Sequence, residues 1–112
     1  MKLIKCILPP AKLEAVKQAL LREGVQGMTV YEVRGFGIHQ SQLKQKASRN
    51  YGVEFQPRVM IEVVITDQKV DKVLKLVTTT GKTGRLGDGK LFVLPVEEAV
   101  RIRTSERGEA AL

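Results

Sequence analysis

Apolar and polar residues alternate from the start: Lys2-Leu3-Ile4-Lys5-Cys6-Ile7-Leu8 is rich in Leu and Ile and predicts a strand over residues 2–8. Pro9-Pro10 ends it. Pro10 suits the first turn of a helix running to about Glu23, with Leu13, Val16 and Leu20, joined by Ala19 and Leu21, on its buried face. Gly24 is placed to cap its C-terminus, residues 25–27 make a turn, and residues 28–34 read as a second strand.

From Gly35 to Pro57 the apolar period disappears. Loops of this length without structure of their own are uncommon in compact domains, so this one reads as a recognition arm. Residues 58–66 resume as a strand, with Val59, Ile61, Val63 and Ile65 on one side and Met60, Glu62 and Val64 on the other. Both sides are largely apolar. With helices on one face only, the second face is expected to be covered by another subunit. Asp67 is placed to cap a second helix whose Val70, Val73, Leu74 and Val77 share one face and which ends near Gly81. After a glycine-rich loop, residues 90–95 read as a fourth strand, and the alternation Val100-Arg101-Ile102-Arg103-Thr104 predicts an added edge strand. The order βαββαβ is that of an α+β, ferredoxin-like sandwich with a long loop between strands 2 and 3.

Composition narrows the class. At 112 residues one domain over 1–112 is expected, since domains most often run to roughly 100–150 residues. The chain is 43% hydrophobic and 28% charged, as in an ordinary globular protein, and no apolar run approaches the ~20 residues of a membrane helix. The first residues alternate too regularly for a secretory signal, so a cytoplasmic location is expected. The single cysteine, Cys6, sits among Ile4, Ile7 and Leu8 and reads as an inert packed residue, with no Cys/His cluster for structural zinc. The net charge of +7 is spread over three concentrations: Lys44, Lys46, Arg49 and Arg58; Lys82, Arg85 and Lys90; Arg101, Arg103 and Arg107. Scattered basic residues are more often a solvated surface than a nucleic-acid footprint.

The stretch Thr83-Gly84-Arg85-Leu86-Gly87-Asp88-Gly89-Lys90 carries the clearest chemistry. Its three glycines permit positive φ and close backbone approach, its amides can point at an anion, and Lys90 adds a cation. Gly84, Gly89 and Lys90 fit the spacing of a P-loop, but Leu91 replaces the hydroxyl residue that holds magnesium, and the loop joins a helix to a strand rather than the reverse. A P-loop NTPase is therefore excluded, while a nucleotide phosphate is retained. On an edge strand Arg101 and Arg103 would point the same way and join Lys90 as three cations for a polyphosphate. The plainer reading leaves them as two solvated arginines.

Several stretches together resemble the PII nitrogen-regulatory signal proteins. They are Gly27-Met28-Thr29-Val30, Glu32-Val33-Arg34-Gly35-Phe36-Gly37, the glycine loop, Pro95-Val96-Glu97-Glu98, and Arg101-Ile102-Arg103-Thr104-Ser105-Glu106-Arg107-Gly108. The resemblance runs end to end. It implies a cytoplasmic homotrimer of ferredoxin-like subunits that is not an enzyme. Its subunit clefts would bind ATP or ADP, and it would control partners such as a transporter, a metabolic enzyme or a kinase. By position, Gly87, Gly89, Lys90, Arg101 and Arg103 would hold phosphates, Asp88 would belong to the same nucleotide site, and Thr29, Gly35, Gly37, Glu62 and Val64 would line the cleft or contact the adenosine. The loop 35–57 corresponds to the family's T-loop, whose shape follows the bound effector.

The departures fall in that loop. Where the family has a Gln contacting magnesium and 2-oxoglutarate, this chain has His39, and the usual Lys partner of the oxoglutarate carboxylate is Arg58. Imidazole can ligate a metal and guanidinium can bind a carboxylate bidentately, so the effector is not excluded, although a lone loop histidine is more often solvated. Tyr51 falls at the family's uridylylation position without its usual flanks, and a partner contact is as good a reading; Ser48, beside Arg49, is a weaker candidate for modification. Two other functions fit the sequence less well. A slow ATPase lacks a paired acid and base beside the loop, having only Asp88, Glu62 and His39. A small nucleic-acid-binding domain lacks the aromatic pair for stacking bases, with five aromatic residues in all.

Overall fold

In the computed structural model, residues 1–37 and 54–112 are described. Among them four strands form one antiparallel sheet: β1 (Lys2–Leu8), β2 (Thr29–Gly35), β3 (Gln56–Ile65) and β4 (Lys90–Pro95), in the order β2-β3-β1-β4. Two helices, α1 (Leu13–Arg22) and α2 (Val70–Gly81), pack side by side, each entered through a 3-10 turn (Pro10–Lys12 and Asp67–Lys69). This is the expected α+β arrangement of a ferredoxin-like sandwich.

The period-two patterns fix which face is buried. Opposite pairs Ile4↔Val63, Cys6↔Ile61 and Leu8↔Val59 put the small apolar residues of β1 and β3 on the helix side. Val16, Ala19 and Leu20 of α1 and Val73 and Val77 of α2 close the core over them. Burying side chains of this size stabilises by roughly 1.5–3 kcal/mol each. Leu21, expected inside, is 48% exposed, because its position on α1 turns it away from the face that carries Val16 and Leu20. The end of α1 follows the expectation for Gly24. That residue takes φ +85°, its amide donates to Leu21 O (3.0 Å), and the amide of buried Val25 donates to Leu20 O (3.1 Å). This is a Schellman closure.

The other side of the sheet carries Leu3, Ile7, Met60, Val64, Phe92 and Leu94, with Phe92 46% and Tyr31 42% exposed. Near its middle, Lys5 Nζ lies 3.1 Å from Glu62 Oε1, and the Tyr31 hydroxyl donates to Glu62 Oε2 (3.2 Å). The face is therefore apolar around a small, mutually satisfied polar group.

Two local expectations give way. Residues 100–104 form no edge strand. The chain turns back on itself, with a single bridge Val100↔Arg107, the Arg101 amide donating to Glu106 O (2.9 Å) and the Ser105 amide to Arg101 O (2.8 Å). Ser105 at φ 59° makes the reversal, and Ile102 at the tip is 97% exposed. Alternation alone predicts a strand, but these hydrogen bonds are local. Asp67 does not cap α2 either, because its carboxylate accepts from the Met1 amino group (3.0 Å) with Lys2 Nζ at 3.7 Å.

Candidate functional site

The glycine loop leaves α2 at Gly81 and enters β4 at Lys90. Gly84, Gly87 and Gly89 all take positive φ (81°, 98° and 99°), conformations that L side chains rarely adopt. Gly89, though exposed, is also pressed against β1: a Cβ there would lie 1.7 Å from the Ile7 carbonyl oxygen, so the loop rests directly on that strand. Asp88 folds inward. The amides of Thr83 and Gly84 donate to its Oδ2 (both 2.9 Å), the Thr83 hydroxyl donates to its Oδ1, and the Arg85 amide donates to Thr83 Oγ1 (3.1 Å). The Thr83 hydroxyl foremost, followed by the Thr83 amide, holds the Asp88 carboxyl below the ordinary carboxylate range. The amides of residues 86–89 lie outside that carboxylate's grasp. Lys90 is exposed beside them, and a cavity of about 170 Å³ opens against Leu8, Val77, Lys82 and Gly89.

A larger cleft, about 510 Å³, lies elsewhere on the sheet. Leu3, Val25, Met28 and Val64 give it apolar walls, while Thr29, Glu62, Thr66 and Lys69 supply polar groups. Its volume is in the range of small-molecule sites. Ala111 and Leu112 also line it, and Arg101 is tied to that segment: Nη2 donates to Leu112 O (3.1 Å) and Nη1 pairs with Glu106 Oε2 (2.7 Å), which also accepts from Thr104 Oγ1. Arg103 is exposed on the turn. Glu98 braces the base of the turn through Arg107 (2.8 Å) and the Gly108 amide (3.1 Å). Arg107 first, and the Gly108 amide after it, hold the Glu98 carboxyl low.

The sequence-predicted residues thus fall into two groups. Gly35 pairs with Gln56 at the end of β2, Gly37 follows it, Arg58 faces Val33, and Lys90 faces Ile7; all lie toward the C-terminal end of β1, with Gly87, Asp88 and Gly89. Thr29, Glu62 and Val64 belong to the larger cleft, and Arg101 reaches it through Leu112. Lys90 and Arg101 are separated by the whole of β4, since Pro95 pairs with Lys2 at the opposite end. Five residue steps of strand are roughly 17 Å. One subunit does not bring the three expected phosphate cations together. Arg58 Nη1 donates to Pro57 O (3.0 Å). His39, Ser48 and Tyr51 lie outside the described residues. Among the described residues no group of acidic, His and Cys side chains is set to hold a metal.

Sequence reasoning missed three features: the inward turn of Asp88, Lys69 at the cleft, and the edge-to-face pair Phe36–Phe55 (centroids 5.7 Å, 89°), which joins the two chain stretches at the base of the long loop. Only the first had a local signal, an acidic residue five positions after a threonine in a glycine-rich turn.

Comparison with known proteins bears on these groups. A family model described as Nitrogen regulatory protein P-II matches residues 1–106. The chain is 45% identical to a Nitrogen regulatory protein P-II of Cereibacter sphaeroides, 46% to one of Azospirillum brasilense and 45% to Nitrogen regulatory protein GlnK of Escherichia coli K12. Each match spans 112 residues and the full length of both chains.

Proposed function

The chain belongs to the nitrogen regulatory protein P-II family, and from that premise we propose that it binds ATP or ADP between subunits of a homotrimer and signals through the loop 35–57 to a partner protein. Regulation rather than catalysis is the work of this family, which disfavours the slow ATPase and the nucleic-acid-binding domain. No described helix is long and apolar enough to cross a membrane, and a cytoplasmic location is part of the proposal.

The separation of the two residue groups carries the reading. A nucleotide has a polyphosphate at one end and an adenosine at the other. The glycine loop with Lys90 suits the first; the larger cleft, with apolar walls beside Thr29 and Glu62, suits the second. The strand length between Lys90 and Arg101 calls for the loop of one subunit and the cleft and arginines of another. The apolar outer face of the sheet supplies a surface on which such copies can associate. Glu62 remains able to meet a ribose hydroxyl, because a carboxylate offers about four acceptor positions and Lys5 and Tyr31 use two.

On this reading the nucleotide neutralises its charge against Lys90 of one chain and Arg101 and Arg103 of the next, with amides from Gly87 to Gly89 as further donors. Magnesium and 2-oxoglutarate belong to the proposal as a second input, held by His39 and Arg58. Calorimetric titration with ATP and ADP, each with and without magnesium and 2-oxoglutarate, tests these inputs. Lys90→Ala and Arg103→Ala should each weaken nucleotide binding strongly. Co-refolding the two variants together should restore binding, because a mixed assembly contains an intact Lys90 facing an intact Arg103. Absence of restoration sinks the shared site, and full-strength binding by both variants sinks the residue assignment.

A further inference from the structure

We propose that Asp88 and Thr83 are a positioning pair for the phosphate loop and do not themselves contact the nucleotide, an inference that rests on the nucleotide reading above. Residue position groups Asp88 with the nucleotide site, but the side-chain geometry gives it different work. Both carboxylate oxygens are turned back across the loop, one onto the Thr83 and Gly84 amides and the other onto the Thr83 hydroxyl. The same hydroxyl oxygen accepts from the Arg85 amide, so the first three amides of the loop are tied through two side chains.

The loop needs such a tie. Regular structure in it is limited to a turn at Leu86 and Gly87, and three of the seven residues 83–89 are glycines at positive φ. Glycine loses more conformational freedom on ordering than any other residue. Asp88 stands between Gly87 and Gly89, so fixing its side chain fixes the peptides on both sides, whose amides are the ones offered to phosphate. Gly89 is further held by its contact with Ile7. A carboxylate facing a polyphosphate would repel it; here the negative charge is met by three donors on the inner side of the loop. The consequence is a loop ordered before the ligand arrives, so that binding carries less of the ordering cost.

The test is calorimetry of Mg-ATP binding by the full assembled chain, with thermal melts at equal protein concentration. Asp88→Ala and Thr83→Val should each weaken binding on the order of tenfold by loss of preorganisation. Thr83→Ser, which keeps the hydroxyl, should bind like the unmodified protein. The double variant Asp88→Ala with Thr83→Val should be no weaker than the worse single variant, because both break the same tie. Losses that add in the double variant, or a loss for Asp88→Ala with none for Thr83→Val, would mean that Asp88 meets the nucleotide directly. Tighter binding by the neutral isostere Asp88→Asn would mean that its charge opposes the phosphate; either outcome overturns the proposal. Lys90→Ala separates this from the wider reading. If it loses binding while Asp88→Ala and Thr83→Val keep theirs, only the positioning role falls; if the unmodified protein takes up no ATP, both fall.

Discussion

Replacing Gly89 by alanine tests how the glycine loop is seated, and Gly84→Ala supplies the control. Both glycines have positive φ, 99° and 81°, so both substitutions carry the backbone cost of placing an L residue there, roughly 1–2 kcal/mol. They differ in surroundings. Nothing lies within 4 Å of a Cβ at Gly84, whereas a Cβ at Gly89 falls 1.7 Å from Ile7 O, 2.8 Å from Ile7 C and 3.3 Å from Leu8 Cα. All three are backbone atoms of a central strand, so no side chain can swing aside. Relief requires lifting the loop about 1.3 Å to reach the 3.0 Å that real Cβ atoms respect. That movement strains the Ile7↔Lys90 end of the ladder, at about 1 kcal/mol per hydrogen bond lost. Gly84→Ala should therefore cost about 1 kcal/mol and Gly89→Ala about 3 kcal/mol. At roughly 4 °C per kcal/mol, the expected drops in Tm are about 4 °C and 12 °C, measured by circular dichroism at one protein concentration. Equal drops for the two variants would refute the collision and leave only the φ term.

Three further outcomes follow from the described packing. Burial pushes the Cys6 thiol up to about 12, so native protein should resist a thiol reagent at mildly alkaline pH and label fully once denatured; fast native labelling would contradict the packed β1. Ile61→Ala, at a side chain 1% exposed in the centre of the sheet, should cost about 2–5 kcal/mol by denaturant titration, and a loss under 1 kcal/mol would mean the core closes around the gap. Asp67, Asp88 and Glu98 all have folded pKa values lowered from 3.8, 3.8 and 4.5. Between folded and unfolded values the unfolded chain binds more protons, so stability rises with pH there; their contribution is complete above those ordinary values and is lost as pH falls through the lowered ones. Acid melts should show Asp88→Asn with Glu98→Gln responding less steeply to acid than the unmodified chain, and identical profiles would argue against the hydrogen bonds at both sites.

Most of the sandwich was legible because its elements obey simple periods. The alternation in residues 2–8 and 58–66 and the i, i+3, i+4, i+7 spacing of Val70, Val73, Leu74 and Val77 reflect the single buried face of each element. Residues 100–104 misled for the same reason. Alternation reports a pleated surface only if there is a neighbouring strand to pair with, and Arg101 found its partners locally in Glu106 and Ser105. Asp67 stood at a cap position but was drawn off by the Met1 amino group, a contact distant in sequence. Three glycines and a lysine made the glycine loop readable as a candidate anion cradle. Which of its amides are already occupied depends on the Asp88 rotamer, and no spacing rule gives that.

The division of the expected nucleotide residues also constrains how a signal could leave the site. A ligand shifts a conformational equilibrium only by as much as its affinity differs between the two states, about 1.4 kcal/mol for each tenfold. For the loop 35–57 to respond, some part of it must therefore touch the nucleotide differently in its alternative shapes. Thr29, Glu62 and Val64 lie in or against the regular sheet and have little freedom to differ. Gly35 and Gly37 are another matter: they share the glycine-loop end of the sheet and stand at the start of the long loop. Phe36 lies between them and packs edge-to-face on Phe55, across the point where the chain re-enters β3. Under the proposed function, a change of backbone at Gly35 to Gly37 on exchanging one nucleotide for another would alter the seating of Phe36 on Phe55, and with it the direction in which both arms of the loop leave the sheet. Under that proposal, the aromatic pair is the described contact that links the two chain stretches at the base of the long loop to the glycine-loop end of the sheet.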